Sequence, residues 1–145
     1  MSGILKLTDL VSIGRNGVLF VCVANAARSQ MAEGFARFLG PAELKIYSAG
    51  SSPTEVHPKA VAAMQEVGIN ISKHESKNID SIPLANVAVA ITLCNEEDCP
   101  VLPSEIQKLH WPLPDPVDSH LAEGDETLAF RRVRDQIREL VSSLF

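Results

Sequence analysis

The chain has little of three things: it carries three cysteines in 145 residues, one tryptophan and one tyrosine, and 13 lysines and arginines against 18 aspartates and glutamates. Three is an odd number, and a domain of this size can bury its own hydrophobic core, so a structural disulfide framework is excluded and reactive thiols come forward. The resulting formal charge of −5 excludes a broad surface for nucleic acid or anionic membrane, which would need an excess of Lys and Arg. Any anion must be held at a local site. No apolar run approaches the roughly 20 residues of a membrane-spanning helix, and the N-terminus lacks the basic-then-apolar layout of a secretory signal. A cytoplasmic protein without nucleic-acid or membrane partners is expected.

What is present alternates between strand-like and helix-like segments. Residues 18–23 form a β-branched apolar run, the pattern of a strand covered on both faces. Residues 29–39 place Met31, Phe35, Phe38 and Leu39 at helical spacings before Gly40 and Pro41 stop the pattern. A second strand is predicted over 44–48 and a second helix over 58–67, with Pro58 in its first turn and Gly68 at its end. Residues 87–93 read as a third strand and 108–111 as a short fourth. Residues 126–144 read as a long amphipathic helix, with Leu128, Phe130, Val133 and Ile137 on one side. The order predicts one α/β domain over 17–145, a parallel sheet flanked by helices on both faces, preceded by an extension over 1–16. In that extension Ile4, Leu7 and Val11 recur at helical spacing.

In such sheets ligands bind beyond the carboxyl ends of the strands. Cys22 sits at one of these ends, followed by Val23, Ala24, Asn25, Ala26, Ala27, Arg28 and Ser29 and then a helix. Small residues let successive backbone N–H groups turn around an anion, and the helix N-terminus faces the same point. Arg28 offers a planar fork for two oxyanion oxygens, and the amide of Asn25 can fix the shape of the loop. A free thiol is mostly protonated at neutral pH, and a helix N-terminus with an adjacent guanidinium favours the thiolate. A lone cysteine at a strand end is usually an inert small hydrophobe. The spacing Cys-x5-Arg-Ser between strand and helix points instead to a nucleophile, Cys22, with Arg28 holding the oxyanion that it attacks.

The stretch from Cys22 to Ser29 with QMAEGF after it, then YSAG, HPKAVAAMQEVGINIS, ITLC, CPVLP, HWPLPDP and RRVRDQI in that order, resembles the thioredoxin-coupled arsenate reductases. These share the low-molecular-weight tyrosine phosphatase fold, with four parallel strands. The resemblance implies arsenate as substrate, Cys22 as nucleophile, Cys94 as resolving thiol and Cys99 as its partner in a shuttle disulfide that thioredoxin reduces. It also implies Asp115, between two prolines, as general acid; no resident metal or cofactor is expected from the residues present. Ser29 is placed to donate a hydrogen bond to the Cys22 sulfur, or to cap the helix. Arsenic accepts two electrons where phosphorus does not, which is why a second thiol is required.

Two other readings use the same residues. A low-molecular-weight phosphatase acting on phosphomonoesters explains Cys22, Arg28 and Asp115 but leaves Cys94 and Cys99 idle. An arsenite or redox sensor uses the thiols without explaining the anion cradle. One Cys-x4-Cys pair with histidines scattered at positions 57, 74, 110 and 120 is a weak zinc pattern. Some members of the resembled family bind potassium near the loop. Asn25, Glu33 and Ser48 match that pattern, while Lys77 stands at the acidic position, so the ammonium is expected to replace the ion. Ala24 stands where the family usually has glycine.

Overall fold

A computed structural model describes residues 15–94, 101–117 and 123–145. The chain runs β1 (Gly17–Cys22), α1 (Arg28–Leu39), β2 (Lys45–Gly50), α2 (Pro58–Glu66), β3 (Val87–Thr92), β4 (Gln107–His110) and α3 (Glu123–Ser142), with single 3-10 turns at Ile79–Ser81 and Leu84–Asn86 before β3. The four strands form one sheet in the order β2-β1-β3-β4, and every pairing is parallel. The expected extension and its helical spacing lie outside the described residues, except for Arg15 and Asn16. Among the described residues no helix is long and apolar enough to cross a membrane.

Alternation along β1 divides the core. Val18 and Phe20 face a cluster with Met31 and Phe35 of α1, Met64 of α2, and Phe130 and Ile137 of α3. Leu19 and Val21 face a second cluster with Ile82, Leu102 and Ile106. The helical layers expected on both faces are thus unequal: three α-helices share one face, and the two 3-10 turns with the 102–106 segment cover the other. Asn78, Asp80, Ser81 and Pro83 account for this. The Asn78 side chain accepts from the Asp80 N–H, and such local bonds favour short turns over a long helix.

All six residues of β1 are buried, as a central strand requires. The register sets Cys22 opposite Gly50 and Val21 opposite Thr92, so the ends of β1, β2 and β3 meet at one edge of the sheet.

Candidate active site

Cys22 closes β1, and α1 begins six residues later at Arg28. The residues between them form a loop whose carbonyls are tied away from its centre. Val23 O accepts from Ser52 N (2.9 Å), Ala24 O from Thr54 N (3.1 Å), and Ala26 O from His57 N (2.9 Å). Asn25 O accepts from Ser76 Oγ and Gln30 Nε2, and Ala27 O from Met31 N in the first turn of the helix. In a trans peptide the N–H points opposite to the C=O, and no cis bond occurs among the described residues. The N–H groups of Ala24, Asn25, Ala26, Ala27 and Arg28 therefore turn to the other side, where an anion would sit. The N-cap position, Ala27, supplies no side-chain cap, and the first turn of α1 carries no acidic residue. The positive end of α1 is thus left for a ligand.

Asn25 is the one non-glycine residue with positive φ among the described residues, at 49°. Asn tolerates this conformation better than most side chains. Ala24 does not adopt it, so the alanine at the usual glycine position imposes no left-handed strain here. Beneath the loop, Ser29 Oγ lies 2.8 Å from Cys22 Sγ and accepts from Asn25 Nδ2 at 2.7 Å. Ser29 thus faces the sulfur and does not cap the helix.

Arg28 is buried. Its Nη1 donates to Leu113 O (3.0 Å) and Leu93 O (3.4 Å), and its Nη2 is 3.7 Å from Asp115 Oδ2. One guanidinium therefore joins the loop, the segment before Cys94 and the Pro-Asp-Pro loop. Asp115 keeps one oxygen on the Val117 N–H (2.9 Å) and remains half-exposed. Cys22, Arg28 and Asp115 line one cleft of about 530 Å³, whose other walls include Thr54, Glu55 and His57. Among the described residues that line it there is no Phe, Trp or Tyr.

Cys94 follows β3 and is fully buried, and its thiol donates to Val21 O at 3.9 Å, next to Cys22. No disulfide joins Cys22 and Cys94. Cys99 lies outside the described residues.

Glu33, Ser48, Asn25 and Lys77 gather behind the loop. Ser48 Oγ donates to Glu33 Oε1 at 2.5 Å and Arg37 Nε to Glu33 Oε2 at 2.7 Å. Lys77 N donates to Asn25 Oδ1 (2.8 Å), while its Nζ donates to Glu75 O (2.7 Å) and stands 3.9 Å from Glu33 Oε1. His57 Nδ1 accepts from Lys59 N at the start of α2, and its ring packs on Phe130 at 4.9 Å, a structural role beside the cleft. His110 Nδ1 pairs with Thr92 Oγ1 at 2.6 Å, and Trp111 packs against Phe20. His74 Nδ1 meets Gln30 Oε1 at 3.0 Å, and burial pushes its imidazole below its ordinary range, opposed by Glu33 and reinforced by Arg37 and Lys77.

Sequence reasoning missed Gly50, Gln30, His74, Ser76 and the backbone of residues 52–57. No pattern in the sequence marks them: Gln30 follows two other polar residues, Arg28 and Ser29, at the start of α1.

A family profile described as low molecular weight phosphotyrosine protein phosphatase matches residues 17–145. An arsenate reductase of Staphylococcus aureus (strain Newman) is 42% identical over 123 residues, spanning 83% of this chain and 89% of the relative. A solved structure described as an arsenate reductase in the phosphate binding state superposes with TM-score 0.76 at 40% identity, covering 89% of this chain and 95% of that one. The thioredoxin-dependent arsenate reductase of Corynebacterium glutamicum superposes with TM-score 0.65 at 29% identity, covering 95% of this chain and 66% of that one. With its Cys22–Ser29 loop between strand and helix, its buried thiol pair and these relatives, the chain belongs to the low molecular weight phosphotyrosine protein phosphatase family, in the branch that holds the arsenate reductases.

Proposed function

We propose that this chain reduces arsenate to arsenite by a relay of three thiols. The Cys22 thiolate attacks arsenic in the loop, forming an S–As bond, and the departing oxygen takes a proton from Asp115 and leaves as water. The N–H groups of the loop, with Arg28, hold the remaining oxygens. The Cys94 thiolate then attacks the Cys22 sulfur. The S–S bond forms as the S–As bond breaks, and its electron pair stays on arsenic, which leaves as arsenite. Cys99 attacks Cys94, freeing the Cys22 thiolate, and the Cys94–Cys99 disulfide is returned to two thiols by a dithiol reductant of the thioredoxin kind.

The observation that carries this reading is the second buried thiol, Cys94, at the end of the strand next to Cys22 and hydrogen-bonded to the residue before it. A hydrolase needs only the cradle and the acid. The described cleft residues include no Phe, Trp or Tyr to stack on an aryl ring, which also favours a small inorganic oxyanion over an aryl phosphate. The thioredoxin-dependent relative supports the choice of reductant. Thiols that cycle in this way need a reducing compartment, which supports a cytoplasmic location.

The test is arsenate-dependent NADPH consumption with thioredoxin and thioredoxin reductase. Turnover is expected in the wild type and none in Cys22→Ser or Cys94→Ser. Hydrolysis of p-nitrophenyl phosphate that needs Cys22 and ignores Cys94, without arsenate reduction, would establish the phosphatase reading instead.

A further inference from the structure

Helix α1 carries one apolar stripe, Met31, Phe35, Phe38 and Leu39, at the spacings of a single helix face. Met31 and Phe35 are buried in the core, whereas Phe38 is 68% exposed and Leu39 39%. The stripe thus outlasts its cover, and its last turn stands open among the described residues. The Phe145 ring extends this surface. It is half-buried and lies so close to Gly40 that a Cβ there would meet it at 2.7 Å. The patch sits at the far end of α1 from Cys22, about 18 Å away along a helix of 12 residues.

The chain enters the sheet beside this patch. Asn16 O accepts from Lys45 N (3.0 Å), and Asn16 Nδ2 donates to Glu43 O (2.7 Å), so the residue before β1 is tied to the turn that follows α1. Residues 1–14 precede this point, outside both the described residues and the stretch matched by the family profile. Their sequence places Ile4, Leu7 and Val11 on one stripe, with Lys6 and Asp9 off it. The steps from Asn16 back to Val11 span up to about 17 Å. Leu39 lies four residues from Glu43 through a turn folded by the Leu44 N–H on Pro41 O, so the segment reaches the patch. We propose that residues 4–11 of the chain itself dock on this end of α1, laying Ile4, Leu7 and Val11 on Phe38, Leu39 and Phe145. A short amphipathic segment has no apolar partner of its own, and the last turn of α1 has no cover; each removes the other's apolar surface from water. The inference is independent of the chemistry at Cys22.

The test is a double-mutant cycle on the full chain, read as Tm. Ser and Phe have similar helix propensities, so Phe38→Ser removes the apolar ring without unwinding α1. Phe38→Ser and Leu7→Ser are each expected to lower Tm by about 3 °C or more, and the double variant to melt no more than about 1 °C below the lower single one. Leu128→Ser, at an exposed apolar residue near the other end of α3, should add fully to Leu7→Ser. Arsenate turnover below the transition should be unchanged in all of these variants. Either single variant melting as the wild type does, or additive losses for Phe38→Ser and Leu7→Ser, would overturn the proposal. Sedimentation velocity on the same samples should show a monomer; a dimer that is lost in Phe38→Ser would seat a second copy on the patch and overturn it as well.

Discussion

Gly50 leaves no room for a side chain against Val23: a Cβ on Gly50 would stand 2.3 Å from the Val23 carbonyl oxygen and 3.0 Å from Asn25 N. Both neighbours are backbone of the anion loop, so they cannot swing aside as a flexible side chain would. Gly50→Ala is therefore expected to push Val23 O off the Ser52 N–H and to turn the loop's N–H groups out of alignment. The overpacking is expected to cost about 1–3 kcal/mol, read as a fall of several degrees in Tm. Inhibition by phosphate should weaken by more than tenfold. A variant that melts lower but binds phosphate as the wild type does would show that the contact matters only for stability.

Lys77 brings its ammonium within 3.9 Å of a buried carboxylate oxygen of Glu33 while its backbone N–H holds Asn25 Oδ1. Glu33 is matched on its other oxygen by Arg37, so the site already has cationic partners from the protein itself. Turnover is accordingly expected to be the same in potassium and sodium buffers of equal ionic strength. Lys77→Met should slow turnover several-fold, since Glu33 then loses a partner behind the loop. A large rise in wild-type turnover on adding potassium would refute the assignment.

Glu66 at the end of α2 accepts from Arg131 and Arg134 of α3, and their hydrogen bonds hold its carboxyl down at about 2. A folded-state value below the unfolded one means that the link stabilises the fold above the unfolded value, near 4.5, and is lost as pH falls from there towards about 2. The gap in Tm between the wild type and Glu66→Gln is therefore expected at pH 7, to shrink below pH 4.5, and to close near pH 2. A gap that stays constant over this window would mean that the carboxylate charge does not support the α2–α3 contact.

The strands and helices were legible where apolar period and β-branching coincide, as in residues 18–23 and in α3, and the Cys22, Arg28 and Ser29 cluster was legible because strand, loop and helix start are contiguous. Boundaries moved by a few residues where pairing decided them: β2 runs on to Gly50 because Ala49 and Gly50 pair with Val21 and Cys22. What supports the loop was not legible. Ser76 and Lys77 reach Asn25 from 51 and 52 positions away, through a hydroxyl and a backbone N–H that carry no pattern in the sequence. Residues 52–57 act through N–H groups that almost every residue possesses. The unequal helical layers were hidden for a related reason, since Ile79–Ser81 is held as a single turn by local bonds from the Asn78 and Ser81 side chains, while Leu84–Asn86 follows Pro83 with no side-chain cap.

Asp115 faces the cleft with one oxygen anchored on the Val117 N–H and the other 3.7 Å from Arg28. This arrangement lets the carboxyl meet an oxygen of a bound anion while the flanking prolines restrict where it can move. Asp115→Asn keeps the size and the ability to accept the Val117 N–H but supplies no acidic proton to the departing oxygen. Loss of a general acid commonly costs about 10²–10⁴-fold, so arsenate turnover is expected to fall at least about 100-fold. Binding should move the other way: removing a negative charge beside Arg28 is expected to tighten phosphate inhibition modestly. The two readouts together separate roles. Slower turnover with tighter or unchanged binding marks a proton donor, whereas equal losses in both mark a residue that only shapes the cleft.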